Sequence, residues 1–511
     1  MFLKKNSIFL NKKIFLTGFL LANLFLSSYY IDIWCTPNAV SRALPVLTLL
    51  HDGTLKIDRY QDRTGDKSKV GEHYYSDKAP FPTFAAIPFY WMVEKLGLTR
   101  HAFNNWRKYP VHIWESVMKT DGRDTMFPDM IPLLFLGSLL FGSIPFAIMI
   151  FMVLKRILGT KGSVSPVVLV MMSFYGSFFF VFAGTYFNHI IAAFLLLLGY
   201  ILIREGKYFW SGIFIGLSFI SEYPVAIVIP MWIIVIWMKE KSFKKILYYG
   251  LGVLPSVVFI LVYNFYITGQ PFKMLVAYHA FQQFADLRQN YGFNHPSLAS
   301  LWGLSFGFYM GLIPHIPVLL LCAYFLFREI IRKFTLKSLV FNYLFMFSVP
   351  FFLVIACFFT WWGGWSYGPR YLVCLGVILV YEGIIYISNK KIQPLIFLVV
   401  TSFGLISTWM AKVTLAYMIP DNSGMSGPAP GNSVFQNFIF PAFSKEQFNA
   451  NNIFTLGLGI PPPLAAYLWI MFFIGIMAGF AFWHSRLYPP QKAVKIRTRS
   501  TRTEVIKTKK T

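Results

Sequence analysis

Acidic residues are scarce in this 511-residue chain: 21 Asp and Glu stand against 46 Lys and Arg, and charged residues of both signs make up only 13%. An average soluble domain is about a quarter charged, so a water-facing surface over the whole molecule is excluded. Cysteine is scarcer still. Cys35, Cys322, Cys357 and Cys374 show neither metal-ligand spacing nor a close pair, which argues against a zinc site and a disulfide framework. No Asp-x-Asp triplet occurs, so no divalent metal is expected, and no other cofactor is called for. A fixed-period internal repeat is also missing, which counts against a transporter or lipid-linked glycan flippase built from pseudo-symmetric halves. The net charge of +25 is not gathered on one segment as a basic face interleaved with aromatics, so nucleic acid is not an expected partner.

What is abundant is hydrocarbon. Hydrophobic residues make up 56% of the chain and the mean hydropathy is +0.56. The apolar runs approach the roughly 20 residues a helix needs to cross a bilayer. Strands with unpaired backbone groups are too costly in lipid, so the runs predict helices. The expected fold is an all-α polytopic membrane protein, a bundle of about 12 transmembrane helices with a large first extracytoplasmic loop. Lys and Arg punctuate the runs and crowd the C-terminal tail, as the positive-inside rule leaves them on the cytoplasmic side, where anionic membrane lipid attracts them. Lys4, Lys5, Lys12 and Lys13 precede the first run, and the bulky SYYIDIW stretch (28–34) offers no cleavage site, so 1–31 is expected to be an uncleaved anchor helix.

The remaining chain divides as follows. Residues 32–128 form the expected extracytoplasmic catalytic loop, in which 81–98, with Pro80, Pro82, Pro88, Glu94 and Lys95, predicts a re-entrant or interfacial segment. Residues 129–418 are the transmembrane bundle, with single crossings at 130–154, 164–184 and 309–327 and a hairpin of two short helices over 209–238. Residues 419–461, rich in Gly, Pro, Asn and Ser, form another outer loop, and 462–511 the last helix and basic tail.

Chemistry concentrates in the polar stretch 53–82, where Asp58, Asp62, Asp66, Glu72 and Asp77 lie among six Lys and Arg residues. A carboxylate there suits general-base work on an acceptor hydroxyl or amine. The same predicted face gathers Asn188, His189, Glu222, His295 and the stretch WGGWSYGPRY (362–371). Arg370 in that stretch suits a phosphate, because a guanidinium binds phosphoryl oxygens through paired hydrogen bonds. Trp365 and Tyr367 suit stacking on sugar faces, although interfacial aromatic belts use the same residues. Glu382, inside an apolar run, is expected to be buried and paired.

Three stretches carry a resemblance: GTLKID (53–58) followed by YYSDKAP (74–80), YGFNHPSLASLWGL (291–304) and WGGWSYGPRY (362–371). Together they resemble the GT-C superfamily of polyprenyl-phosphate-sugar-dependent glycosyltransferases, among the bacterial relatives of the protein mannosyltransferases and the lipid A aminoarabinose transferase. The resemblance spans about residues 10–390. It implies a multi-pass protein of the bacterial inner (cytoplasmic) membrane with an extracytoplasmic active site. The implied reaction moves a sugar from a polyprenyl phosphate donor to a glycan, lipid or protein acceptor of the envelope, with inversion. The implied base is Asp58, with Asp66 as the alternative, and Asp77 and Lys78 match the family's acidic-Lys pair near acceptor and lipid phosphate. Tyr75, His189, Glu222, His295, Trp365, Tyr367 and Arg370 are the expected substrate contacts. Asp62 and Glu72 are expected to be solvated loop charge.

Overall fold

A computed structural model describes residues 11–33, 36–98, 130–287, 291–333, 342–364, 366–414 and 433–489. The described chain is overwhelmingly helical, with one short hairpin as its only sheet. Among the described residues, six helices are long and apolar enough to cross a membrane, and five further apolar helices of 10 to 17 residues accompany them. The protein is therefore an all-α membrane protein.

Helix α1 (Lys12–Ser28) is capped by Asn11, whose side chain accepts from the Lys13 and Ile14 amides. It packs on the last helix through Phe15, whose ring meets Phe480 and Trp483 edge-on. Helix α2 (Pro37–His51) starts with Thr36 as cap and proline in its first turn, and its residues from Ala39 to Thr48 are buried. The first long segment thus opens with a core helix, where the apolar pattern predicts only a loop. Its run is short for a crossing and is broken by Arg42.

After α2 the polar stretch folds as a six-residue turn of 3₁₀ helix, Asp58–Arg63, and an antiparallel hairpin, β1 (Lys67–Val70) with β2 (His73–Ser76), in which Ser68 faces Tyr75. Helix α3 (Phe81–Lys95) follows, carrying Pro88 inside and leaving Phe89, Trp91 and Met92 exposed. At about 1.5 Å per residue its 15 residues reach about 22 Å, short of a bilayer core of about 30 Å.

The span α4 (Ile131–Ile157) contains a π turn at Leu139–Ser143. Beside that turn, Ser27 and Ser143 exchange hydroxyl-to-carbonyl hydrogen bonds of 3.1 and 3.0 Å, joining α1 to α4. The run 164–184 is not one crossing: α5 (Pro166–Tyr175) stops at Gly176, where a Cβ would meet Met172 O at 2.5 Å and Leu405 N at 3.1 Å. The run 309–327 is broken likewise, since Pro317 separates the four-residue turn Leu312–His315 from the helix Val318–Lys333.

Helix α6 (His189–Arg204) is followed by α7 (Tyr208–Phe219), a 3₁₀ turn at Tyr223–Ile227 and α8 (Val228–Glu240), the predicted hairpin. Helix α9 (Phe243–Thr268) lies against α7 at glycine distance: a Cβ on Gly212 would fall 2.2 Å from Tyr249 O, and one on Gly252 2.1 Å from Phe209 O. The bundle closes with α10 (Val318–Lys333), α11 (Tyr343–Ala356), α12 (Val373–Ile387), α13 (Pro394–Val413) and α14 (Pro462–Leu487). Part of the predicted loop 419–461 is helical, at Phe440–Ser444 and Ile453–Leu458.

Candidate functional site

Where the polar stretch meets the ends of α2, α6, α7 and α12, the structure encloses a cavity of about 660 Å³. Its polar wall consists of Asn38, Arg42, Asp66, Asp77, Lys78, Asn188, His189, Glu222 and Arg370. Phe219, Ile227, Pro230, Val354, Ile355 and Phe358 form the apolar wall. Charge at one side and hydrocarbon at the other is what an amphipathic ligand with a charged head requires.

Two linked networks build the polar wall. In the first, the Lys78 ammonium sits 2.8 Å from Asp66 Oδ2 and 3.1 Å from Asp77 Oδ1. Asp77 is almost fully buried and also accepts from Ser41 Oγ of α2 at 3.4 Å. Asp66 is more open, with 31% of its side chain exposed, and its backbone amide donates to Thr64 Oγ1. The ammonium also donates to Asp77 Oδ2 at 3.3 Å, so its three N–H donors face three carboxylate oxygens.

In the second network, buried Arg42 donates from Nη1 to the backbone and side-chain oxygens of Asn38 and from Nη2 to Asn188 Oδ1. Asn188 passes the link on, its amide donating to the Ser221 carbonyl at 2.7 Å and to Glu222. Glu222 also lies 2.8 Å from His189 Nδ1. A carboxylate at that distance fixes the proton on Nδ1, which leaves the lone pair on Nε2. That Nε2 is buried without a hydrogen-bond partner. Burial pulls the Arg42 guanidinium below its ordinary value, and Glu222 and Asp77 oppose that shift.

Arg370 differs from Arg42. It has no carboxylate within ion-pair reach among the described residues, its Nε has no hydrogen-bond partner, and its guanidinium lies 5.3 Å above the Tyr371 ring. The glycines of the preceding stretch make room for it. Gly363 adopts φ +81°, and a Cβ there would come within 3.0 Å of Arg370 Cγ. Gly364 and Gly368, at φ +67° and +71°, complete a turn that side-chain-bearing residues rarely adopt.

Of the residues singled out by the sequence, Asp66, Asp77, Lys78, His189, Glu222 and Arg370 come together at this cavity. Asp58 does not. Its Oδ1 accepts from the Tyr74 amide at 2.6 Å and its Oδ2 pairs with His73 at 2.7 Å, so it ties the 3₁₀ turn to the hairpin. Tyr75 packs in a separate apolar cluster with Ile220 and Tyr263. Tyr367 is buried against the His315 ring, and His295 is exposed; neither lines the cavity. Trp365 lies outside the described residues. Sequence reasoning missed Arg42 and Asn38. The signal for Arg42 was present, since an arginine alone in the apolar run of residues 39–50 is expensive to bury without a purpose.

Asp66, Asp77 and His279 have ligand atoms within 4.8 Å of one another, the one grouping of metal-binding donors among the described residues. Lys78 already supplies a positive charge to both carboxylates, so a cation there would compete with its ammonium. Glu382 is paired, as its position in an apolar run predicts, with Arg204.

Comparison of the chain with models of known protein families, with curated proteins and with solved structures returns no match.

Proposed function

We propose that this protein is a GT-C-type membrane glycosyltransferase that moves a sugar from a polyprenyl phosphate to a hydroxyl or amine of an envelope glycan, lipid or protein, with the reaction at the extracytoplasmic face of a bacterial inner membrane. About twelve crossings in all belong to the same proposal. The observation that carries it is the shared cavity: its lining brings together an accessible carboxylate, Asp66, the cation Lys78 paired with it, a second cation, Arg370, and apolar side chains. A polyprenyl phosphate sugar has that distribution of groups.

The donor phosphate accepts from the Arg370 guanidinium and from the Lys78 ammonium, which turns one N–H away from Asp77 Oδ2, its longest contact at 3.3 Å. The acceptor oxygen or nitrogen attacks the anomeric carbon as the bond from that carbon to the phosphate oxygen breaks, which inverts the centre. Its proton passes to Asp66, and the polyprenyl phosphate leaves with its negative charge held by the two cations. Asp77 holds Lys78 in place from its buried position. His189 Nε2 accepts a hydrogen bond from a sugar hydroxyl, with Glu222 fixing the ring. Asp58 supports the hairpin that carries Asp66, in place of the catalytic role its sequence position suggests.

The test uses the purified full chain in detergent, a radiolabelled polyprenyl phosphate sugar and a membrane glycan extract. Wild type is expected to transfer label, Asp66→Asn to lose at least about 100-fold in rate as general bases do, and Asp58→Asn to retain most of it. Failure of the wild type to transfer label from any polyprenyl phosphate sugar offered would end the proposal. Full transfer by Asp66→Asn would remove that residue as the base.

A further inference from the structure

A second cavity, of about 470 Å³, lies among the last turns of α4 and α6 and the later half of α12. It is one helix length from the first. His189 begins α6 at the site and Arg204 ends it here, 16 residues or about 24 Å away. Helix α12 likewise starts beside Arg370 and brings Tyr381 and Ile385 to this cavity. Lys155 and Arg156 from α4, Arg204 from α6 and Glu205 just beyond it are its charged lining, and half-buried Met152, Ile201 and Ile385 its apolar lining.

Cations in the last turn of a helix have an ordinary use, since they offset the partial negative charge of its C-terminal carbonyls. A charge count shows that this does not use them up. Arg204 is paired with Glu382 and Lys207 with Glu205. Lys155 and Arg156 have no carboxylate partner among the described residues, leaving two positive charges. The ends of α4 and α6 take about half a charge each. About one positive charge remains beside this apolar lining, the complement of a singly charged phosphodiester carrying acyl chains.

We infer that the cleft between the last turns of α4 and α6 and the later half of α12 holds the headgroup phosphate of an anionic phospholipid, with Lys155 and Arg156 as its ligands. The phosphate oxygens accept from the ammonium and guanidinium, and the acyl chains lie along Met152, Ile201 and Ile385. This site is independent of the reaction assigned to the first cavity.

The test is native mass spectrometry of the purified full chain titrated with phosphatidylglycerol or phosphatidylcholine in mixed micelles. Phosphatidylglycerol is expected to be retained in preference to phosphatidylcholine. Retention should weaken at least about tenfold in the Lys155→Gln/Arg156→Gln variant, since a lost charge-assisted contact weighs about one decade. Lys241 and Lys244 lie beyond the end of α8 and do not line the cleft, so Lys241→Gln/Lys244→Gln should retain lipid as wild type does. Equal retention in wild type and the cleft variant, or an equal loss in the control variant, overturns the site. A further arm adds inorganic phosphate at millimolar concentration. Loss of the lipid there makes this a soluble-anion site and overturns the lipid assignment.

Discussion

Replacing Arg370 by glutamine separates a substrate-binding cation from a structural one. Inside the protein this guanidinium has little to lose: no carboxylate faces it among the described residues, and its visible partner is the Tyr371 ring at 5.3 Å. A cation over a tyrosine ring is worth about 0.5–1 kcal/mol, so the Arg370→Gln protein should lose no more than about 1 kcal/mol of stability. Under the proposed function, donor binding should lose far more. A hydrogen bond to a charged group is worth about 1.5–3 kcal/mol, and at 1.4 kcal/mol per decade the loss of one is about 10- to 150-fold in kcat/KM for the polyprenyl phosphate sugar. Arg370→Lys should recover part of this, because an ammonium keeps the charge and gives up the paired geometry. The assay is a donor titration of each variant in detergent beside its thermal unfolding. A glutamine variant with unchanged kcat/KM and a stability loss above about 2 kcal/mol would show that Arg370 serves the fold and that the phosphate site lies elsewhere.

Two further substitutions probe the surroundings of that site. Glu222→Ala removes the acceptor shared by Asn188 and His189 and leaves buried Arg42 less compensated, so thermal unfolding should report a loss of about 3 kcal/mol. Glu222→Gln should lose clearly less, and equal losses would show that the carboxylate charge is immaterial. Gly363→Ala and Gly364→Ala form a matched pair, since both residues have positive φ and each alanine carries a backbone strain of about 1–2 kcal/mol. A Cβ at Gly363 presses on Arg370 Cγ and Nε at 3.0 and 3.2 Å, whereas at Gly364 the nearest atom is Arg370 Nη2 at 3.8 Å. Both should be destabilised alike, and Gly363→Ala alone should raise KM for the donor severalfold; an equal rise in both would mean that crowding of Arg370 is not the cause.

Where a segment's structure is decided by lipid, its sequence predicts it well. The hairpin α7–α8 and the span α4 fall within a few residues of the apolar runs that announce them, because in hydrocarbon a continuous helix is the cheapest way to satisfy the backbone. Where protein packing decides, the same runs mislead. The stretch 164–184 is apolar throughout, yet it breaks at Gly176 because α13 approaches the backbone there too closely for a continuing helix with side chains. Helix α2 is the opposite case: too short and too polar at Arg42 to resemble a crossing, it is buried by its neighbours. Asp58 and Asp66 were distinguishable in the sequence only by their order after the first apolar run. Their roles separate through a contact across the hairpin, Asp58 with His73 and Tyr74, which no linear pattern reports.

The three cations of the cavity show what such contacts decide. In the sequence Arg42, Lys78 and Arg370 are each one basic residue near an apolar run, and only the Lys78 and Arg370 motifs marked them out. In the folded protein they have different obligations. Arg42 is committed to Asn38 and Asn188 within a network that reaches Glu222, so removing it would disturb three elements before any ligand was involved. Lys78 is shared, divided between Asp66 and both oxygens of Asp77. Arg370 owes nothing to a carboxylate among the described residues, and its turn of glycines keeps space open beside it. A half-buried cation without a carboxylate partner is costly unless something anionic meets it, and the cavity it lines has room for such a group. The order of commitment, Arg42 before Lys78 before Arg370, is therefore the reverse of the order in which substitutions should spare stability and abolish donor binding.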